Sequence, residues 1–156
     1  MSAQKSPCKM AIASDHGGFA LKQKLIRYLQ QRGLQVVDFG PEAERSVDYP
    51  DFAAQVADAV SRKKVAGGVL ACGTGIGMCI AANKFKNVRA ALVTDLFTAQ
   101  MSKEHNNANI ICLGGRVLKD ALAKKALGLW LDTPFAGDRH ARRLKKIQQI
   151  ERKNFK

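Results

Sequence analysis

The sequence predicts an α/β fold, a three-layer Rossmann-like sandwich with a five-stranded parallel sheet and a C-terminal helix. Two observations predict it: five short apolar segments alternate with stretches of helical periodicity, and each of those segments is apolar throughout instead of at every second position. Strands that alternate with helices indicate right-handed βαβ units. Apolarity on both strand faces indicates a sheet covered by helices on both sides.

The order of the elements follows from periodicity and from residues that start or stop helices. Gly33 ends the first helix, Pro50 suits the first turn of the second, and Thr133 with Pro134 ends the fifth. The predicted strands are 10–14, 34–39, 67–72, 89–94 and 109–113. The predicted helices are 19–29, 50–60, 78–85, 95–105, 118–131 and a basic helix from about 138.

Length and composition fit one compact domain. The chain has 156 residues, of which 46% are hydrophobic, and no apolar run approaches the ~20 residues that cross a bilayer. We expect a flexible N-terminal segment at 1–9, a single domain at 10–151 and a basic tail at 152–156. No secretory signal is recognisable, so the cytoplasm is the expected compartment and no membrane partner is expected.

Cysteine spacing and net charge limit the classes of ligand that the protein is expected to bind. Cys8, Cys72, Cys79 and Cys112 match neither a metal-binding nor a disulfide pattern, so we expect four free thiols and no metal. The formal charge of +13 indicates anionic ligands in general, among them phosphate esters and nucleic acids. The C-terminal segment is the most basic part of the chain.

A glycine-rich turn, Cys72 to Gly77, joins a predicted strand to a helix. Such turns expose backbone N–H groups beside a helix N-terminus and attract anions. A dinucleotide GxGxxG pattern fails because Met78 stands where its last glycine should be, and a Walker motif is absent. The turn is therefore interpreted as an oxyanion cradle, in which Thr74 adds a hydroxyl donor.

Several side chains are candidates for the chemistry. Cys72 faces the positive helix N-terminus, which favours a thiolate able to abstract a proton, although a structural role is the commoner one for such a cysteine. His105 suits a general acid. Arg139 and Arg143 share a helix face and are able to clamp a phosphate, although a solvated face is the commoner role for such a pair.

Parallel topology sorts these candidates between two edges of the sheet. Asp15 with His16, Cys72 with its glycine turn, and Arg116 follow strand ends and meet at the carboxyl edge, where such sheets bind ligands. His105 precedes a strand and belongs to the opposite edge. Either its helix overhangs the sheet or a second subunit contributes it.

Six motifs in order resemble the type B ribose-5-phosphate isomerases and their relatives that act on allose and galactose 6-phosphates. The resemblance covers Met10 to about Glu151. The motifs are SDHGGF (14–19), SVDYPDFA (46–53), CGTGIGMCIAANK (72–84), SKEHNNAN (102–109), GGRV (114–117) and DRHARR (138–143).

The resemblance implies cofactor-free interconversion of ribose 5-phosphate and ribulose 5-phosphate through an enediolate. Cys72 would move the proton from C2 to C1, because the glutamate base of other members would stand at Met78. His105 would assist ring opening, and two subunits would share each site in a homodimer or a tetramer. The remaining implied substrate contacts are the cradle residues Gly73, Gly75, Ile76 and Gly77, the hydroxyl ligands Asp15 and Asn106, and the phosphate ligands His16, Arg116, Arg139 and Arg143.

Three alternatives remain open at this stage. A hexose 6-phosphate substrate would change mainly the distance from the reacting carbons to the phosphate. A basic nucleic-acid-binding domain is less favoured, since it leaves Cys72 and His105 without a role. An oxidoreductase is disfavoured by the absent dinucleotide motif. Catalysis does not explain the basic tail, which leaves room for an additional anionic partner.

Overall fold

The computed structural model describes residues 8–155, which form one five-stranded, all-parallel sheet between two layers of helices. The three-layer α/β prediction is confirmed. The strands are β1 (Lys9–Ser14), β2 (Gln35–Asp38), β3 (Gly67–Cys72), β4 (Ala90–Leu92) and β5 (Ile110–Gly114), in the spatial order β2-β1-β3-β5-β4. The helices are α1 (Phe19–Gln31), α2 (Tyr49–Ser61), α3 (Ile76–Ala82), α4 (Leu96–Glu104), α5 (Asp120–Asp132) and α6 (Asp138–Asn154).

Alternating residues of each strand face two separate hydrophobic layers. Ile12, Val69 and Ile111 pack on one face with α1, α4 and α5, where Trp130 is the largest buried side chain. The opposite face packs with α2 and α3. This two-sided burial explains why the strands are apolar at successive positions.

The boundaries differ from the sequence predictions in several places. Helix α3 begins at Ile76, because Gly75 with φ +82° makes the turn that the helix follows. Strand β4 has only three residues. Helix α6 continues to Asn154, so residues 152–154 of the expected tail are helical. Strand β1 starts at Lys9, and residues 1–7 of the expected flexible segment lie outside the described residues.

The spatial order of the strands places β1 beside β3 at the point where the chain reverses its direction of winding. In open α/β sheets this switch point is where ligands bind. Asp15 follows β1, and its backbone N–H donates to the Ala71 carbonyl of β3 at 3.1 Å. No helix among residues 8–155 is long and apolar enough to span a membrane.

Candidate active site

Three loops meet at the carboxyl edge of the sheet, following β1, β3 and β5. The Gly115 N–H donates to the Cys72 carbonyl at 2.8 Å, and the Arg116 N–H donates to the Gly73 carbonyl at 3.0 Å. A Cβ on Gly17 would lie 2.9 Å from the Gly73 nitrogen. The loops approach this closely because glycine stands at their contact points.

Cys72 ends β3 at the centre of these loops. Its residue is 5% exposed, and its Sγ accepts a hydrogen bond from the Gly75 N–H at 3.0 Å. A donor aimed at sulfur stabilises negative charge there. The structure therefore places the predicted base where a thiolate would be supported by backbone.

The cradle that follows Cys72 is open to a ligand on one side. Thr74 and Ile76 are exposed, and the Ile76 N–H donates to the Thr74 Oγ1 at 3.3 Å. A Cβ on Gly77 would lie 2.7 Å from the Tyr49 ring, so that ring covers the first turn of α3. Sequence reasoning assigned no role to Tyr49, since nothing in its spacing predicts this contact.

The other predicted ligands at this edge surround the cradle. The Asp15 carboxylate is nearly buried and accepts from the Gly18 N–H at 3.0 Å. His16 Nδ1 accepts from the Val47 N–H at 3.4 Å. The Arg116 side chain lies over Gly73, where an added Cβ would be 3.3 Å from a guanidinium nitrogen. An arginine thus lies over the first residue of the cradle, and the histidine belongs to a loop that contacts the cradle.

A second cluster lies at the opposite edge. The rings of His105 and His140 stack with centroids 4.1 Å apart, and the Arg139 Nε donates to His140 Nε2 at 3.4 Å. The stack forms because the Ala136 N–H donates to the Glu104 carbonyl at 3.0 Å, tying the start of α6 to the end of α4. Sequence reasoning named His105 and Arg139 but gave His140 no role.

The structure does not bring the two clusters together within one chain. Helix α4 starts from the carboxyl edge at Asp95 and carries the chain to His105, which precedes β5 at the other edge. Asn106 lines a groove at that edge with Leu144 and Ile147 of α6. The predicted separation of the candidate residues is confirmed.

Burial and neighbouring charges shift the pKa values of several groups. Desolvation, together with the charges of His105, Arg139 and Arg143, lowers the pKa of His140, against the opposing effect of Glu104. A hydrogen bond to Cys112 lowers the pKa of Cys79 to about 7. Burial raises the pKa of Cys112.

The thiols, the polar clusters and the cavities of the described residues limit the chemistry that the site can perform. All four cysteines are free, as expected. Within residues 8–155 no three histidine, cysteine or acidic side chains are grouped as metal ligands. A large cavity lies beside β2, between Asp38 and Gln55, and contains none of the predicted site residues. What the arrangement supports is proton transfer at sulfur beside an anion cradle.

Comparisons with known proteins agree with this chemistry. The family described as Ribose/Galactose Isomerase matches residues 10–147. Ribose-5-phosphate isomerase B of Escherichia coli K12 is 42% identical over 145 residues, covering 93% of this chain and 97% of that protein. D-erythrulose-4-phosphate isomerase of Pectobacterium atrosepticum is 44% identical, covering 91% and 94%.

A solved structure extends the agreement to three dimensions. Ribose-5-phosphate isomerase B of Mycoplasma genitalium, solved with bound ribulose-5-phosphate, superposes with a TM-score of 0.92 at 41% identity. The match covers 96% of this chain and all of that one. The whole described sheet with its helices is therefore shared.

Proposed function

The chain belongs to the ribose/galactose isomerase family, and we propose that this isomerase interconverts ribose 5-phosphate and ribulose 5-phosphate. The proposal depends on one observation: inside the glycine cradle, the Cys72 Sγ accepts a hydrogen bond from the Gly75 N–H. A thiolate and backbone donors are what an enediolate intermediate requires.

In the proposed reaction, the Cys72 thiolate takes the proton from C2 of the open-chain aldose. The electron pair of that bond moves into the C1–C2 bond and onto O1, which gives the enediolate. The remaining backbone N–H groups of the turn, those of Gly73, Thr74 and Gly77, and the Thr74 hydroxyl would donate to its oxygens. Return of the same proton to C1, with transfer of the O2 hydrogen to O1, yields the ketose. The reaction needs no external oxidant and no cofactor.

The substrate's two ends would be held by different subunits. Asp15, His16 and Arg116 lie at the edge that carries Cys72, whereas His105, Asn106, Arg139 and Arg143 lie at the opposite edge. A homodimer in which these edges face each other would complete each site, with His105 assisting ring opening and the arginines binding phosphate.

Exposed apolar side chains support association of two copies. Ile76 and Ile80 on α3 are 50% and 58% exposed, and Ile147 and Ile150 on α6 are 48% and 62% exposed. Such side chains border both halves of the divided site, and burying them favours a dimer. Pairing of such dimers into a tetramer is also compatible with these exposed side chains.

Four free thiols support the cytoplasm as the compartment.

The deciding experiment measures ketose formation from ribose 5-phosphate by the purified protein in EDTA. Cys72→Ala should abolish turnover, whereas the matched control Cys79→Ala, whose thiol lies outside the cradle, should retain it. Unchanged turnover in Cys72→Ala would overturn the assignment of the base.

The same assay separates substrates of different length. Allose 6-phosphate and galactose 6-phosphate should compete weakly. The Pectobacterium relative, named for a four-carbon substrate, shows why chain length has to be measured. Activity on a hexose phosphate alone would keep the mechanism and change the substrate.

A further inference from the structure

Helix α6 presents three faces with different chemistry. At 3.6 residues per turn, His140, Leu144, Ile147 and Glu151 share the face that packs on the body of the protein. Arg139 and Arg143 lie on a flank. Five exposed cations fall within an arc of about 120° on the side opposite the packed face. We call these the basic stripe: Arg142, Lys145, Lys146, Arg152 and Lys153.

One acidic residue of α6, Asp138, precedes Arg142 by one helical turn, but it forms no ion pair with the basic stripe among residues 8–155. Several cations of other helices have an acidic partner, as in Lys24 with Asp120, Arg32 with Asp132 and Arg62 with Asp58. In the part of the chain that the structure describes, no residue of the stripe takes part in an ion pair. Glu151, the nearest acid in sequence, faces inward and accepts from the Asn87 N–H at 2.7 Å.

The stripe has an energetic cost that folding does not explain. Arg142 lies one turn from both Lys145 and Lys146, and like charges at this spacing destabilise a helix by about 0.2–0.5 kcal/mol per pair. A local feature that opposes folding is more often retained for function.

The bond between Asn87 and Glu151 holds a second cationic segment against the packed face of α6. It anchors the loop between α3 and β4 to the C-terminal half of α6. That loop carries Lys84 and Lys86, both exposed. Seven cations therefore lie on α6 and the loop attached to it, all of them separate from the arginines that we assign to the substrate phosphate.

We propose that the basic stripe binds the phosphate backbone of double-stranded nucleic acid without sequence preference. The five stripe cations span about 17 Å of helix, which equals the axial rise of about five phosphates along one strand. The stripe contains no aromatic side chain, so it lacks the stacking platform that single strands require.

The chemistry of α6 disfavours other occupants. A helix that binds a membrane surface inserts an apolar face, but Leu144 lies against the protein body, and the exposed Ile147 and Ile150 belong to the surface that the proposed dimer would bury. A second copy presenting the same stripe would be repelled, since a two-fold interface places identical surfaces together. The stripe includes neither Cys72 nor His105, so this proposal does not compete with the isomerase site.

The test is fluorescence anisotropy with a labelled 24-base-pair DNA duplex of random sequence and its RNA counterpart, titrated at about 50 and about 200 mM KCl. Five phosphate contacts predict a slope near −4.5 in a plot of log association constant against log salt, or about 500-fold weaker binding over this range. A stripe variant with all five residues changed to Gln should lose most of this slope.

A matched variant removes the same number of charges elsewhere. Lys9, Arg27, Lys63, Lys119 and Lys125 are exposed, unpaired within residues 8–155 and outside both sites; changing these five to Gln should leave duplex binding nearly intact. Isomerisation of ribose 5-phosphate should stay within about twofold in both variants, which verifies folding.

Three outcomes would overturn the proposal. Equal losses in both variants would show that net charge, and not the stripe, attracts the duplex. Tighter binding of a 24-nucleotide single strand would contradict backbone recognition of a duplex. Binding to phosphatidylserine vesicles without binding to either duplex would assign the stripe to a membrane surface.

Discussion

The rings of His105 and His140 lie parallel, with centroids 4.1 Å apart and planes tilted by only 8°. His140 is nearly buried, whereas His105 is half-buried at the end of α4. The buried ring therefore fixes the orientation of the exposed one. Through its contact with the Arg139 Nε, it also links the proposed ring-opening residue to a proposed phosphate ligand.

Two substitutions at position 140 should separate these effects. Stacked rings contribute about 0.5–1.5 kcal/mol, so His140→Ala should lower kcat with ribose 5-phosphate by about 2–10-fold. His140→Phe keeps a ring against His105 but accepts no bond from Arg139, so it should raise KM and largely preserve kcat. Steady-state kinetics of both variants checks this, and equal effects on kcat would contradict a positioning role.

Protonation of His140 should weaken the fold at acidic pH. Desolvation and the charges of His105, Arg139 and Arg143 hold its pKa below the ordinary value, with Glu104 acting in the opposite direction. The unfolded chain therefore binds the proton more readily. Stability is complete above a pH of about 6.5 and is lost as pH falls through the lowered pKa.

Urea midpoints at about pH 7.5 and about pH 5 measure this loss. The difference between the two midpoints should be smaller in His140→Phe than in the unaltered protein. An identical difference would show that other groups account for the acid sensitivity.

The sequence predicted the fold well because each element carries its own signal. Strands such as 67–72 are apolar throughout, and Pro50 and Gly33 mark helix ends, so topology follows from local patterns. The boundaries of α3 and β4 were less accurate. There, the backbone at Gly75 and pairing with β5, and not periodicity, determine where regular structure starts and stops.

The site was predictable only in part. The glycine turn and its thiol are contiguous in sequence, so the sequence alone predicts that they act together. Tyr49 and His140 were missed because they act through contacts made across the fold, with Gly77 and His105 respectively. The separation of His105 from Cys72 was predicted, since it depends on strand direction alone.

Mixing two inactive variants should restore activity if subunits share each site. Cys72→Ala retains His105, and His105→Ala retains Cys72. Random re-pairing makes half of the dimers mixed, and one of the two sites in each mixed dimer is intact, so about a quarter of full activity should return. Co-refolding followed by the ribose 5-phosphate assay measures this. No recovery, with mixed dimers verified by mass spectrometry, would place both residues in one subunit's site.

The buried ion pair of Lys22 should respond unequally to the loss of its two partners. Lys22 is fully buried, and its Nζ donates to the Asp38 carboxylate at 2.8 Å and to the Pro41 carbonyl at 2.8 Å. The Asp38 side chain is 37% exposed and remains hydrated when alone.

Asp38→Ala leaves an ammonium buried without its counter-charge and should cost about 2–3 kcal/mol. Lys22→Met fills the same space without charge and should cost about 1 kcal/mol or less. Urea unfolding of both variants measures the difference. If Lys22→Met lost more stability than Asp38→Ala, the attraction between Lys22 and Asp38 would itself stabilise this edge of the sheet. The cost of leaving one charge buried without a partner would then be the smaller effect.

Two glycines with left-handed backbone allow conformational strain to be separated from damage to the site. Gly75 has φ +82°, and an added Cβ would lie 2.7 Å from Leu92 Cδ1 and 3.1 Å from the Leu113 carbonyl carbon. Gly33 has φ +77°, with nothing within 4 Å of an added Cβ. Gly33→Ala should therefore cost about 1 kcal/mol of stability from backbone strain and leave turnover unchanged.

Gly75→Ala should cost more stability and also displace the N–H that donates to Cys72 Sγ. Loss of such a preorganised donor lowers turnover by about 100-fold or more. Unfolding midpoints and kcat for ribose 5-phosphate, measured side by side, distinguish the two effects. If both variants lost the same stability and neither lost activity, the Gly75 N–H would have no part in supporting the thiolate, and the assignment of Cys72 as a base held by the cradle would fail with it.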